Sequence, residues 1–139
     1  MCIRDRPSPD APLSAGRAWI DACYSAGTAE EIVARLRSHG APEAKEAART
    51  VLGKSPTSVK VTLEALRRAR ELPDLPAVLE QEYRVSCGFL TGSDLAEGIR
   101  AQVVDKDRDP HWAPSTLEAV TDVERFFAPV ASGPLDVPR

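Results

Sequence analysis

Helix-start signals recur along this chain at short intervals, and no alternation of apolar and polar residues runs long enough to make a strand. Thr28-Ala-Glu-Glu31 has the form of a capping box, in which the threonine oxygen accepts an orphan backbone N–H and the glutamate reaches back. Ile32, Val33 and Leu36 then share a face, and His39-Gly40 ends the helix. From Pro42, the apolar residues Ala44, Ala47, Ala48, Val51 and Leu52 recur at helical spacing, and Gly53 stops the run. Ser55-Pro56 supplies a cap followed by proline at the first helical position, where its missing N–H costs nothing. The next stripe is Val59, Thr62, Leu63, Leu66 and Ala69.

A longer helix is expected from Leu75 to about Leu90, with Leu75, Val78, Leu79, Tyr83 and Leu90 inward and Gly92-Ser93 breaking it. Asp94-Leu-Ala-Glu97 repeats the capping pattern, with Ser93 as a cap and Leu95, Ile99 and Val103 on one face. Ser115-Thr-Leu-Glu118 repeats it again, and predicts a last helix through Phe127 with Leu117, Val120 and Phe127 aligned. The fold class is all-α, a bundle of about five or six helices. Residues 1–15 are expected to be disordered or artefactual, because Met1-Cys-Ile-Arg-Asp-Arg6 has no periodicity and reads like a translated sequencing adapter. Residues 16–128 form the helical region, and residues 129–139, with prolines at 129, 134 and 138, form a disordered tail.

A net charge of −3 with both signs interspersed offers no basic stripe for a nucleic-acid backbone, so no nucleic-acid partner is expected. No apolar run approaches the ~20 residues needed to span a bilayer, and no membrane partner is expected either. Cys2, Cys23 and Cys87 form an odd set without a C-x-x-C pair. A reducing compartment fits that usage, no secretory signal opens the chain, and a cytoplasmic location is the expectation.

The candidate chemistry is sparse. Asp105, Asp107 and Asp109 begin like a calcium loop, yet Pro110 stands where glycine is needed and Thr116 where a bidentate glutamate is needed. His39 and His111 are the only imidazoles and lack metal-ligand spacing, so no metal site is expected. Ser93 has no nucleophile elbow around it. Cys87 sits in a helical pattern without a local cation to lower its pKa, which favours packing over a thiolate paired with His111. Glu80 and Glu82 read as solvated carboxylates of a helix surface. No catalytic residue is identified.

Ser86 to Trp112 is the most telling stretch: its Asp94-Leu-Ala-Glu-Gly-Ile-Arg-Ala101 core is followed by Asp105-Lys-Asp107 and Pro110-His-Trp112. This stretch resembles the C-terminal part of the 3-hydroxyisobutyryl-CoA hydrolases, a branch of the crotonase (enoyl-CoA hydratase/isomerase) superfamily. Ile20-Asp-Ala-Cys-Tyr-Ser25, Lys54-Ser-Pro-Thr-Ser-Val-Lys-Val-Thr62 and Glu82-Tyr-Arg84 resemble segments of the same family in the same order, so the likeness covers roughly Gly16 to Phe127. Leu95, where phenylalanine is common, and His111, where lysine is common, depart from the pattern.

The resemblance implies a fragment: the helical C-terminal portion of a crotonase-type protein whose α/β core, with its oxyanion hole and catalytic carboxylates, is missing. The intact enzyme would hydrolyse the thioester of 3-hydroxyisobutyryl-CoA, a step of valine breakdown, while the fragment would be inactive. Lys106, beyond the Glu97-Gly-Ile-Arg-Ala101 element, is the one binding residue implied, a point charge near the coenzyme A phosphates. Its competing role is to balance Asp105 and Asp107. No cofactor is implied, since CoA belongs to the acyl-CoA substrate, and the helical tail would contribute to homo-oligomer contacts. Two alternatives stay open: the C-terminal part of another crotonase, a hydratase or isomerase, and a stand-alone helical interaction module.

Overall fold

The computed structural model describes residues 12–131 and 133–135, so the adapter-like residues 1–6 and the last residues of the tail lie outside the described part. Among the described residues there are seven α-helices and no strand. The helices are α1 (Pro12–Ala15), α2 (Arg17–Tyr24), α3 (Ala29–Ser38), α4 (Pro42–Leu52), α5 (Pro56–Ala69), α6 (Leu75–Leu90) and α7 (Asp94–Ile99). A π-helical turn, Arg100–Val104, continues α7, and a 3₁₀ turn covers Glu124–Phe127. The all-α architecture expected from the sequence is the one observed. Two compact units divide between Val51 and Leu52.

In the first unit, Thr28 caps α3 by accepting the Glu31 N–H at 3.1 Å, and the Glu31 carboxylate accepts the Gly27 N–H at 2.9 Å. The box therefore closes on the residue before the cap. Ile32, Val33 and Leu36 are buried as their spacing requires, and Ala44 and Ala48 are buried on α4. Arg35 donates to the Ala22 carbonyl and to the Ser25 hydroxyl, both at 3.0 Å, which ties α3 to the end of α2.

In the second unit, Ser55 caps α5 by accepting the Ser58 N–H, and Asp74 caps α6 by accepting the Ala77 N–H. Val61 and Ala65 of α5 form a core with Phe126 and Phe127 of the 3₁₀ turn, and Val85, Phe89 and Val123 pack against it. The Phe89 and Phe126 rings lie 4.7 Å apart. Gln81, buried on the same face of α6, donates to the Ala65 carbonyl at 3.0 Å, so burial leaves its amide nitrogen partnered.

Three expectations about packing change. Leu75, Leu79 and Leu90 are exposed, because α6 packs through Gln81, Val85, Gly88 and Phe89 instead. On α5 the packed face is Val61 and Ala65, which leaves Leu66 outward. Leu95, Ile99 and Val103 are exposed, while Ala101 is buried.

The last helix expected from Ser115 is absent. Leu117, Val120 and Phe127 are buried as expected, but by successive turns. The Val120 N–H closes a tight turn on the Leu117 carbonyl, and the Val120 carbonyl accepts from the Lys60 ammonium at 3.2 Å. Asp122 accepts the Arg125 N–H and starts the 3₁₀ turn afresh, a side-chain bond that competes with continuous helix.

Gly88 lets the Phe126 backbone approach α6. A Cβ there would sit 2.7 Å from Phe126 Cδ1 and 3.3 Å from its Cα, and Phe126 is too deeply buried to move aside. Gly88→Ala should therefore destabilise the chain by about 1–2 kcal/mol, the cost of overpacking less alanine's better helix propensity. Urea unfolding checks this, and an unchanged or raised midpoint would refute the close approach.

Candidate functional site

The segment from Asp94 to Trp112 is anchored at both ends. Asp94 opens α7 with its carboxylate buried, accepting from the Ser55 hydroxyl at 2.5 Å and from the Ala113 N–H at 3.0 Å. It is thus a tie between the start of α5, the start of α7 and the chain beyond Trp112, rather than the cap suggested by the Asp-x-x-Glu spacing. Ser93 occupies the cap position but makes no capping hydrogen bond with its side chain. At the far end the Trp112 indole donates to the Gly53 carbonyl at 3.3 Å, and its ring lies over Gly98, where a Cβ would meet it at 3.4 Å.

Between these anchors, the chain gathers around one guanidinium. Arg100 takes the Glu97 carboxylate in a bidentate grip, Nε to Oε2 at 2.9 Å and Nη2 to Oε1 at 2.8 Å. Its Nη1 donates to Asp105 at 2.7 Å and to Asp107 at 2.6 Å, while Nη2 also donates to the Asp109 carbonyl at 3.1 Å. Glu97 Oε1 accepts the His111 N–H at 2.7 Å as well. The backbone follows: the Asp105 N–H closes the π turn on the Arg100 carbonyl at 2.8 Å, and the Arg108 N–H bonds the Ala101 carbonyl at 3.0 Å. Lys106 and Arg108 both adopt φ of 58°, in the left-handed region.

The charges respond accordingly. The Arg100 guanidinium, and next the His111 N–H, hold the Glu97 carboxyl down to about 2 from its ordinary 4.5. Arg100, and next the Asp109 N–H, lower Asp107 too. The three carboxylates around it raise the Arg100 pKa further.

Lys106 is exposed and makes no hydrogen bond or ion pair among the described residues, although it stands between two aspartates. Cys87 is half-buried on α6 and is not hydrogen-bonded to His111, which is exposed; His39 is half-buried and accepts the Ala41 N–H. Glu80 is engaged by Arg84 at 2.8 Å and by the Leu135 N–H at 2.6 Å, which hold its pKa low, and Glu82 faces solvent. Among the described residues, no three His, Cys, Asp or Glu side chains come together as a metal-binding group. Arg100 is the residue that sequence reasoning passed over. Its signal was there, a glutamate three residues before it and an Asp-x-Asp pair after it.

Residues 2–127 match the family model for enoyl-CoA hydratase/isomerase. The chain belongs to that family. It is 39% identical over 118 residues to the mitochondrial 3-hydroxyisobutyryl-CoA hydrolase of Mus musculus, covering 84% of this chain and 30% of the relative. The Danio rerio protein of the same name is 41% identical over 111 residues, covering 78% and 29%. Among solved structures, a carnitinyl-CoA dehydratase from Mycobacterium thermoresistibile superposes with a TM-score of 0.86 at 49% identity, over 92% of this chain and 37% of that one. An enoyl-CoA hydratase from Rhodobacter sphaeroides 2.4.1 superposes with a TM-score of 0.88 at 34% identity, over 99% and 41%. The chain thus spans about 30% of the length of the hydrolases it matches. The cytoplasmic location expected from cysteine usage is overturned, since these hydrolases are named mitochondrial. An odd number of cysteines without a C-x-x-C pair does not distinguish one reducing compartment from another.

Because the folded Glu97 value lies below the unfolded one, the stability it contributes is complete above about pH 4.5 and is lost as the pH falls toward 2. Urea midpoints measured down this range should fall, and Glu97→Gln should flatten the fall. An equally steep acid limb in the variant would exclude Glu97 as its source.

Proposed function

We propose that these residues serve an acyl-CoA thioester hydrolase that converts 3-hydroxyisobutyryl-CoA to the free acid and CoA, a step of valine breakdown. The observation that carries the reading is the agreement of relatives 39% to 41% identical in a single activity name. Within it, Lys106 faces the phosphates of the coenzyme as a compact cation. The unpaired, exposed ammonium supports this role over local charge balance, because both neighbouring carboxylates are already bound to Arg100. The 49% identity to a carnitinyl-CoA dehydratase favours a second reading, in which the reaction adds or removes water across a double bond of an acyl-CoA.

The described residues span about 30% of the hydrolases' length, and the carboxylates they bring together are engaged by Arg100, so the 139-residue chain itself should not turn over the thioester. Release of free CoA thiol from 3-hydroxyisobutyryl-CoA measures this. Turnover that disappears in Lys106→Ala or Glu82→Ala would overturn the reading of the chain as a part of the catalyst.

The two activities separate in a chimera in which residues 12–135 replace the matching portion of a 3-hydroxyisobutyryl-CoA hydrolase. Thiol release supports the hydrolase, and a change in enoyl-thioester absorbance without thiol release supports the dehydratase. In the same chimera, Lys106→Ala should raise KM roughly 5- to 30-fold with kcat little changed, because a remote phosphate contact is made equally in ground and transition states. The effect should shrink with added salt. An unchanged KM at low ionic strength would return Lys106 to a solvated charge.

A further inference from the structure

We propose that Arg100 is the positioning residue for Lys106, binding the two flanking aspartates so that the lysine ammonium stays free for an anionic ligand. The inference rests on the reading of Lys106 as a coenzyme phosphate contact. In Asp105-Lys106-Asp107 the ammonium has two carboxylates next to it in the chain, and the simplest local outcome is that one of them pairs with it. Such pairing would compete directly with a phosphate. Instead both carboxylates end on the same Arg100 nitrogen.

The match of donors to acceptors is complete. A guanidinium carries five N–H groups in a fixed fork. Arg100 makes five hydrogen bonds, two to Glu97, one each to Asp105 and Asp107, and one to the Asp109 carbonyl. A lysine at position 100 has three donors and could not hold this set.

The backbone adds a second observation. Two residues with side chains, Lys106 and Arg108, sit at positive φ within a span of three, and such conformations persist where the surroundings over-determine them. The π turn that Arg100 opens is the kind of irregularity often found at functional sites. Arg100 acts through Lys106 and touches no ligand itself.

The test uses the full 139-residue chain, isotope-labelled, with CoA and dephospho-CoA as the probes at low ionic strength. In the wild type, CoA should shift the Lys106 side-chain resonances saturably, and Lys106→Ala should abolish saturable binding. Arg100→Gln and Arg100→Lys should weaken CoA binding by about fivefold or more, with the resonances of Val61, Phe89 and Phe126 unchanged. In those variants the Lys106 backbone coupling should leave its positive-φ value, and the Lys106 side-chain shift should begin to follow the titration of Asp105 and Asp107. Adding Asp105→Asn and Asp107→Asn to Arg100→Gln should restore binding, a rescue that a merely structural arginine would not give. If wild-type CoA binding is intact and survives Arg100→Gln, or if the rescue fails, the positioning role is overturned while the coenzyme reading stands. If CoA leaves wild-type Lys106 unmoved, the coenzyme reading falls and this proposal falls with it.

Discussion

The buried carboxylate of Asp94 is the constraint on which the second unit depends. A charge out of water is tolerated only when its oxygens are met by donors, and here the donors come from elements far apart in the chain, Ser55 and Ala113. Ser55 is committed twice, since its oxygen also accepts the Ser58 N–H that starts α5. One cluster therefore fixes where α5 begins, where α7 begins and where the chain returns after the Arg100 loop. Trp112 bonding the Gly53 carbonyl reinforces the same closure two residues from Ser55. The path of the intervening residues is then limited enough for one arginine to organise it.

That arrangement explains which parts of the fold were legible in the sequence. Thr28 and Ser55 cap helices as the sequence indicates, because a cap is a local transaction between a side chain and the next turn. Asp94 has the same spacing to Glu97 and does something else, because tertiary donors compete for its oxygens. The segment after Ser115 shows the same limit. Its apolar residues recur at a helical interval and are buried, yet Lys60 and Asp122 take up backbone groups that a helix would need. Periodicity reported which residues go inside and could not report how the backbone carries them there.

The choice of inward faces on α5 to α7 failed for a different reason. Leu66, Leu75, Leu90, Leu95, Ile99 and Val103 are all apolar and all exposed, while the packed faces use smaller or mixed residues such as Ala65, Gln81 and Gly88. Apolar residues stand on both the packed and the exposed sides of α5 and α6, and period alone cannot rank them. These aliphatic side chains, read as core from the sequence, are thus exposed among the described residues.

At the candidate site, chain adjacency bears only on the competing role of Lys106. Lys106 lies between two aspartates, so adjacency suggested that its charge is spent locally. Neighbours in an irregular loop need not face one another, and a lysine at φ of 58° turns its chain away from the extended path in which such contacts would be judged. Arg100, five and seven residues away, reaches both carboxylates because the π turn folds the chain back over it. Guanidinium also holds planar, bidentate partners better than ammonium does, so the competition between the two cations is decided by donor geometry rather than by charge. The free ammonium at Lys106 is thus a consequence of how Arg100 is satisfied.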